Sequence, residues 1–220
     1  MTAQISDKFR YNKEEYKLAA RTAPINFDPK DYGVIPSMSS TACWRGYWCE
    51  YVIKQNKLIL EKLLLHTKDE VYPPFNGIDP LPQEYKEVEG LTPNFKKVKE
   101  LVPINMGHRT YILNMELDYT GNLVLGKDLD ERFYIHMGFQ HPWAYHTLKE
   151  FKFENGQLLE IIDHSELAND IRKKEYEYSL YLYKLKKENP EEYEKIPRKT
   201  IEEFIDEMFS LDANVKAWWL

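Results

Sequence analysis

Cysteine is nearly absent: the chain of 220 residues has two, Cys43 and Cys49. On one extended strand that spacing is roughly 20 Å, beyond disulfide reach, and it makes no zinc half-site. A disulfide-stapled scaffold is excluded, and two reduced thiols fit a reducing compartment. Long apolar runs are missing as well. Residues 58–65 form the longest and carry Glu61 and Lys62, far short of the ~20 residues of a membrane span. Residues 1–10 are polar and lack the apolar core of a secretory signal, so the expectation is a cytoplasmic protein with no membrane partner. Excess positive charge is also lacking. With 36 acidic and 30 basic side chains, a net charge of −6 and a pI near 5.6, the chain does not resemble a nucleic-acid binder, which shows a basic face. The short basic groups (Lys96, Lys97 and Lys99; Arg172, Lys173 and Lys174; Lys184, Lys186 and Lys187) all have acids close by and read as solvated faces. Glycine numbers only nine, and no phosphate-binding loop, nucleophile elbow or HExxH helix occurs, so no cofactor is expected.

What is abundant is aromatic surface: 14% of residues are Phe, Trp or Tyr, within a hydrophobic fraction of 43%. The length suits one domain burying roughly 70% of its unfolded surface, with no need of staples. Residues 1–40 read as a polar arm, with a short helix over 7–22 whose few apolar contacts are Phe9, Tyr16 and Leu18. Pro24, Pro29 and Pro36 interrupt the remainder of the arm. Residues 41–163 read as a β-rich core. A strand over 43–53 alternates Cys43, Arg45, Tyr47, Cys49, Tyr51 and Ile53 on one face with Trp44, Trp48 and Val52 on the other, turns at 54–57, and returns over 58–65. A second hairpin is expected from 110–118 through a turn at 119–122 into 123–125. A third runs from 145–153 to 158–162 through Asn155-Gly156, the strongest hairpin signal in the chain. Between the first two hairpins, residues 67–109 hold six of the twelve prolines and leave room for a short helix over 94–101.

The final part, 164–220, reads as helical. Asp163 and Glu166 have capping-box spacing, and Leu167, Ile171, Tyr178, Leu182 and Leu185 recur at helical intervals. Asn189-Pro190 ends that helix and starts a short one. Thr200 and Glu203 form a second capping box, followed by the stripe Ile201, Phe204, Ile205, Met208 and Phe209. The chain ends in Trp218, Trp219 and Leu220, which are expected to dock on the body or on a partner.

Two segments concentrate chemistry-bearing side chains. Residues 133–146, FYIHMGFQHPWAYH, contain His136, His141 and His146. Intervals of five match no standard metal pattern, so no metal site is expected. The readings left are half-buried histidines among aromatics, or a ligand pocket built from Trp143, Tyr145 and a histidine. Residues 44–48, WRGYW, set Arg45 between aromatics, where it either stacks on a ring and grips an anion or pairs with a buried acid. The stretch 44–65 matches RGYxxxYxIxxxKLxL through Arg45, Gly46, Tyr47, Tyr51, Ile53, Lys57, Leu58 and Leu60. It resembles a hairpin of a group of uncharacterised bacterial proteins. The resemblance covers about a tenth of the chain and implies a bacterial or phage origin, with no catalytic residue to carry over.

The expected fold class is α+β: a mostly antiparallel sheet built from hairpins, with C-terminal helices packed on it. Two functions are consistent with these residues. One is a cytoplasmic protein-binding module, such as an immunity or inhibitor protein of a bacterial conflict system. Tyr and Trp are favoured interface anchors, and the acidic balance suits a basic partner as well as simple solubility. The other is a small-molecule or nucleotide-binding protein, or an enzyme, with a pocket joining Arg45 to residues 136–146. The residues expected to touch partner or ligand are Arg45, Tyr47, Trp48, His136, His141, Trp143 and Tyr145.

Overall fold

A computed structural model describes residues 2–91 and 97–213. The strands in chain order are β1 (Lys8–Tyr11), β2 (Glu14–Arg21), β3 (Tyr47–Lys54), β4 (Lys57–Leu65), β5 (Tyr85–Leu91), β6 (Lys97–Pro103), β7 (Arg109–Glu116), β8 (Gly121–Leu129), β9 (Tyr145–Glu154) and β10 (Gln157–Asp163). The helices are α1 (Ser165–Glu188), α2 (Pro190–Glu194) and α3 (Ile201–Phe209). The class is α+β, as expected. Eight strands form one sheet in the order β10-β9-β8-β2-β1-β3-β4-β7. Every neighbouring pair is antiparallel except β1 and β3, which run parallel. The sheet curls until β10 meets β4: Leu158 N–H donates to the Asn56 carbonyl (2.6 Å) and Leu58 N–H to the Gly156 carbonyl (3.1 Å). The strands β5 and β6 form a separate two-stranded ribbon.

Two-residue alternation fills the barrel-like interior. Phe9, Tyr16, Leu18, Cys49, Tyr51, Ile53, Leu123, Leu125, Phe151 and Phe153 all point inward and are buried. Phe9 stacks on Tyr51 at 4.7 Å, and Tyr16 meets Phe151 edge-on at 6.1 Å. Each such burial contributes roughly 1.5–3 kcal/mol. The leucines of β4 change parity midway, because Glu50 pairs with Lys62 and Tyr51 with Leu60, which makes Glu61 the extra residue of a β-bulge. Leu58 and Leu60 therefore face inward before the bulge, and Leu63 and Leu65 after it.

Several expectations are corrected. The N-terminal segment is no polar arm, and the helix expected over 7–22 does not form; the one helical turn described there is a 3-10 turn at Pro29–Tyr32. Asn12 and Lys13 adopt left-handed φ of 50° and 68°, and the turn between them folds 8–21 into a hairpin at the centre of the sheet. Phe9, Tyr16 and Leu18 alternate across that turn, and the interior takes all three. The first strong strand begins at Tyr47 rather than at residue 43. The second expected hairpin does not form: β7 pairs with β4, while β8 pairs with β2 and β9. Residues 117–120 instead bridge the end of the barrel, where Gly156 N–H donates to the Tyr119 carbonyl and the Tyr119 hydroxyl to the Ala23 carbonyl. Residues 97–101, expected in a helix, lie in β6, and 94–96 fall outside the described residues.

In place of an Asp163–Glu166 capping box, Asp163 accepts from Ser165 N–H (2.9 Å) and His164 takes the N-cap position. The Thr200–Glu203 box forms as expected, and Asn189 caps α2. The start of α1 packs on β9, burying Ala168. The end of α3 is held by Met208, whose carbonyl accepts from Phe139 N–H (2.7 Å), and by Phe209, which stacks on Trp44 at 4.7 Å. Trp218, Trp219 and Leu220 lie outside the described residues.

Candidate interaction site

The sequence-derived residues separate into two neighbourhoods. Arg45, Tyr47 and Trp48 lie at the entry to β3. Arg45 is a third exposed, but its guanidinium is engaged by Asp7, which is 3% exposed. Nη1 lies 3.2 Å from Asp7 Oδ2, and Nη2 bonds Oδ1. Arg45 Nε donates to the Tyr47 carbonyl (2.6 Å), and Asp7 Oδ1 also accepts from Cys49 N–H at 2.7 Å. Burial by itself would depress the Arg45 pKa, but the charge and hydrogen bonds of Asp7, with smaller contributions from Cys49 and Tyr47, together outweigh this and hold it above the ordinary arginine value. The guanidinium lies over the Tyr47 ring at 4.6 Å. Of the two sequence readings of Arg45, the geometry matches pairing with a buried acid. Trp48 faces outward into a small cluster with Cys43 and Leu64, and its ring lies 4.4 Å from that of His108. His108 is 1% exposed; its Nδ1 lies 3.0 Å from the Asn105 carbonyl and its Nε2 3.1 Å from the Ser39 hydroxyl.

The other neighbourhood holds His136, His141, Trp143 and Tyr145. His136 is exposed and meets Tyr134 edge-on at 5.0 Å. His141 stacks on Trp143 at 5.0 Å, and Trp143 meets Phe133 edge-on at 5.0 Å. Trp143 and Tyr145 are buried in the seam between the sheet and α1. Arg172, 5% exposed, locks that seam by donating to the backbone carbonyls of Trp143 (2.7 Å) and Tyr145. His146 lies 3.8 Å from Asp130, which also accepts two hydrogen bonds from the Arg132 side chain. These bonds hold the Asp130 carboxyl down to about 2. Among the described residues no three His, Cys, Asp or Glu side chains gather as metal ligands.

Tyr145 lies across Gly126, where a Cβ would come within 2.3 Å of its ring. It walls an open groove of about 730 Å³ whose lysines, Lys13, Lys17 and Lys127, alternate with Glu14, Glu15 and Asp128. Their formal charges cancel, so the groove presents no net charge to select a ligand. The hollow beside Arg45, about 270 Å³, is a different one, lined by Cys43, Trp44, Phe139 and Phe209.

The feature that sequence reasoning missed is the outer half of α1. Only Ala168 and Arg172 are buried along its 24 residues. Beyond Arg172, all of 173–181 are exposed, and Leu182 and Leu185 are half-buried near α2. At about 100° per residue, Tyr176, Leu180 and Tyr183 fall on one stripe, on a different side from Leu182 and Leu185. They are 45%, 43% and 60% exposed. Tyr178 and Tyr181 stack on each other on the opposite side of the helix, with ring centroids 6.2 Å apart. The stripe carries local charge at both ends: Arg132 sits over the Tyr176 ring at 5.6 Å and Lys187 over the Tyr183 ring at 4.7 Å. The sequence signal for it is the i, i+4, i+7 spacing of 176, 180 and 183, which the stronger Leu182–Leu185 pattern conceals. Comparison of the chain with protein-family models, with curated proteins and with solved structures finds no match.

Proposed function

We propose that this chain is a cytoplasmic protein-binding module whose contact element is the outer half of α1. One observation carries the reading: a 24-residue helix seats its first two turns on the sheet and presents Tyr176, Leu180 and Tyr183 to solvent from the remainder. Aromatic and aliphatic side chains grouped on a rigid helix are the material of interface hot spots, because they lose little conformational freedom on binding and bury a large area. The interior, by contrast, is filled with side chains, and Arg45 is committed to Asp7. An immunity or inhibitor protein of a bacterial conflict system is the specific form of this reading. The outer half of α1 carries Glu175, Glu177 and Glu188 with Lys173, Lys174, Lys184, Lys186 and Lys187, so this element favours a partner of mixed charge over a strongly basic one.

The test is affinity capture with the full chain and with a Leu180→Asp, Tyr183→Asp variant of unchanged thermal stability. The expected result is a stoichiometric protein held by the wild type and lost by the variant. An identical set of proteins held by both would overturn the reading.

A further inference from the structure

We infer that a partner for this helix is a second copy of the chain, bound as an antiparallel α1–α1 pair. The inference rests on the proposal that outer α1 is a contact surface, and it comes from the distribution of charge around the stripe. The stripe residues Tyr176, Leu180, Tyr183 and Lys187 follow the 4-3-4 spacing of a coiled-coil seam. Glu177 and Lys184 both lie on one flank of it, displaced by about 70–90° from its centre. They are seven residues apart and opposite in sign.

When two copies of such a helix run antiparallel, flanking positions of the same type face each other. Setting Leu180 of one copy against Tyr183 of the other repeats the same layer on both sides of a two-fold axis. In that register Glu177 of each copy lies beside Lys184 of the other, so one pair of residues makes two ion pairs. The Tyr176 ring falls opposite Lys187, whose ammonium already rests on an aromatic face within its own chain. The arrangement is self-complementary, as a two-fold interface requires. A parallel pair gains less, because Lys184 then faces the uncharged Ser179, and Glu177 faces Arg172, which is buried and committed to backbone carbonyls. The charges therefore select the antiparallel orientation. With three apolar residues from each copy, the contact is smaller than the ~1,200 Å² of a stable interface, and a concentration-dependent dimer is expected.

Sedimentation equilibrium of the full chain tests the pairing. The average mass is expected to rise with concentration from 26.3 kDa toward twice that value. Glu177→Lys replaces two attractive pairs by two repulsive ones and is expected to weaken association roughly tenfold. Lys184→Glu is expected to do the same, and the double variant Glu177→Lys, Lys184→Glu to restore association to near the wild-type level. Leu180→Asp is expected to abolish it. A constant mass of 26.3 kDa up to about 1 mM, the weak limit of specific association, would overturn the pairing. So would association that Leu180→Asp leaves unchanged, or a double variant no better than the singles. If the wild type is monomeric yet captures another protein through Leu180, self-pairing fails and the contact surface stands. If neither mass nor capture responds to Leu180→Asp, both fail.

Discussion

Asp7 and Arg45, 38 residues apart in sequence, close into an ion pair at the mouth of the barrel, with the carboxylate 3% exposed and also accepting the backbone N–H of Cys49. The pair ties the residue just before β1 to the residue that leads into β3, the two neighbouring strands of the sheet that run parallel. A parallel neighbour has no tight turn to hold its register. The hydrogen bond from Cys49 N–H to Asp7 supplies that restraint.

Removing the cation leaves a buried carboxylate with one backbone donor. Arg45→Met is expected to destabilise the fold by about 2–3 kcal/mol, toward the low end for buried pairs because the guanidinium is a third exposed. The double variant Asp7→Asn, Arg45→Met is expected to lose less than the sum of the two singles. Urea unfolding of the four proteins measures this coupling, and strictly additive losses would show that the pair contributes nothing beyond its separate parts.

Acid is expected to weaken the fold through His108. Burial holds its imidazole down to about 4, against an ordinary value of 6.5, with the His66 ring adding to the shift and the Asn105 carbonyl opposing it. Between pH 6.5 and 4 the unfolded chain binds a proton that the native chain does not, so stability falls as pH drops through this window and is fully present above it. The loss is about 2–3 kcal/mol at the acid end. Denaturant midpoints across the window check it. A His108→Asn variant is expected to start lower and to show a flatter pH dependence, and an undiminished slope would assign the acid loss to other groups.

Two glycines of similar backbone angle are expected to behave differently. Gly33 (φ 77°) has nothing within 4 Å of an added Cβ, whereas Gly156 (φ 74°) would place one 2.3 Å from the Leu117 carbonyl oxygen. Gly33→Ala carries only the left-handed backbone penalty of about 1 kcal/mol. Gly156→Ala adds a backbone clash where the tips of β4 and β10 meet, and its cost is expected to exceed about 3 kcal/mol. Equal thermal shifts for the two variants would contradict the close approach at residue 156.

The two halves of α1 are expected to respond oppositely to the same chemistry. Ala168→Asp inserts a carboxylate into the seam beside Trp143 and Tyr145 and is expected to cost several kcal/mol. Leu180→Asp, at a residue 43% exposed, is expected to change stability by less than about 0.5 kcal/mol. Paired melting curves decide it: a large loss at Leu180 would mean that the outer helix is packed on the body.

Local chemistry was legible in the chain by itself. Asn56 and Asn155-Gly156 take left-handed φ, which Asn and Gly tolerate, and those two hairpin turns form where read, although the strand entering the first begins at Tyr47. The Thr200–Glu203 box and the Asn189-Pro190 break depend on side chains within three residues of the backbone groups they serve, and both appear. The α+β class follows from the same short-range patterns. Of the candidate site, Arg45 beside Tyr47 was visible, but its partner Asp7 was not, and the Tyr176–Leu180–Tyr183 stripe was hidden behind a stronger apolar pattern on the same helix. The tertiary structure decided what depends on distance along the chain: that 8–21 enters the centre of the sheet, that β7 joins β4 instead of β8, and that α1 runs out of surface to cover after Arg172. Alternating apolar residues specify that a strand has an inner face; they do not specify which neighbour shares it. That choice belongs to the closed barrel, where a single interior has to accommodate every inward side chain at once.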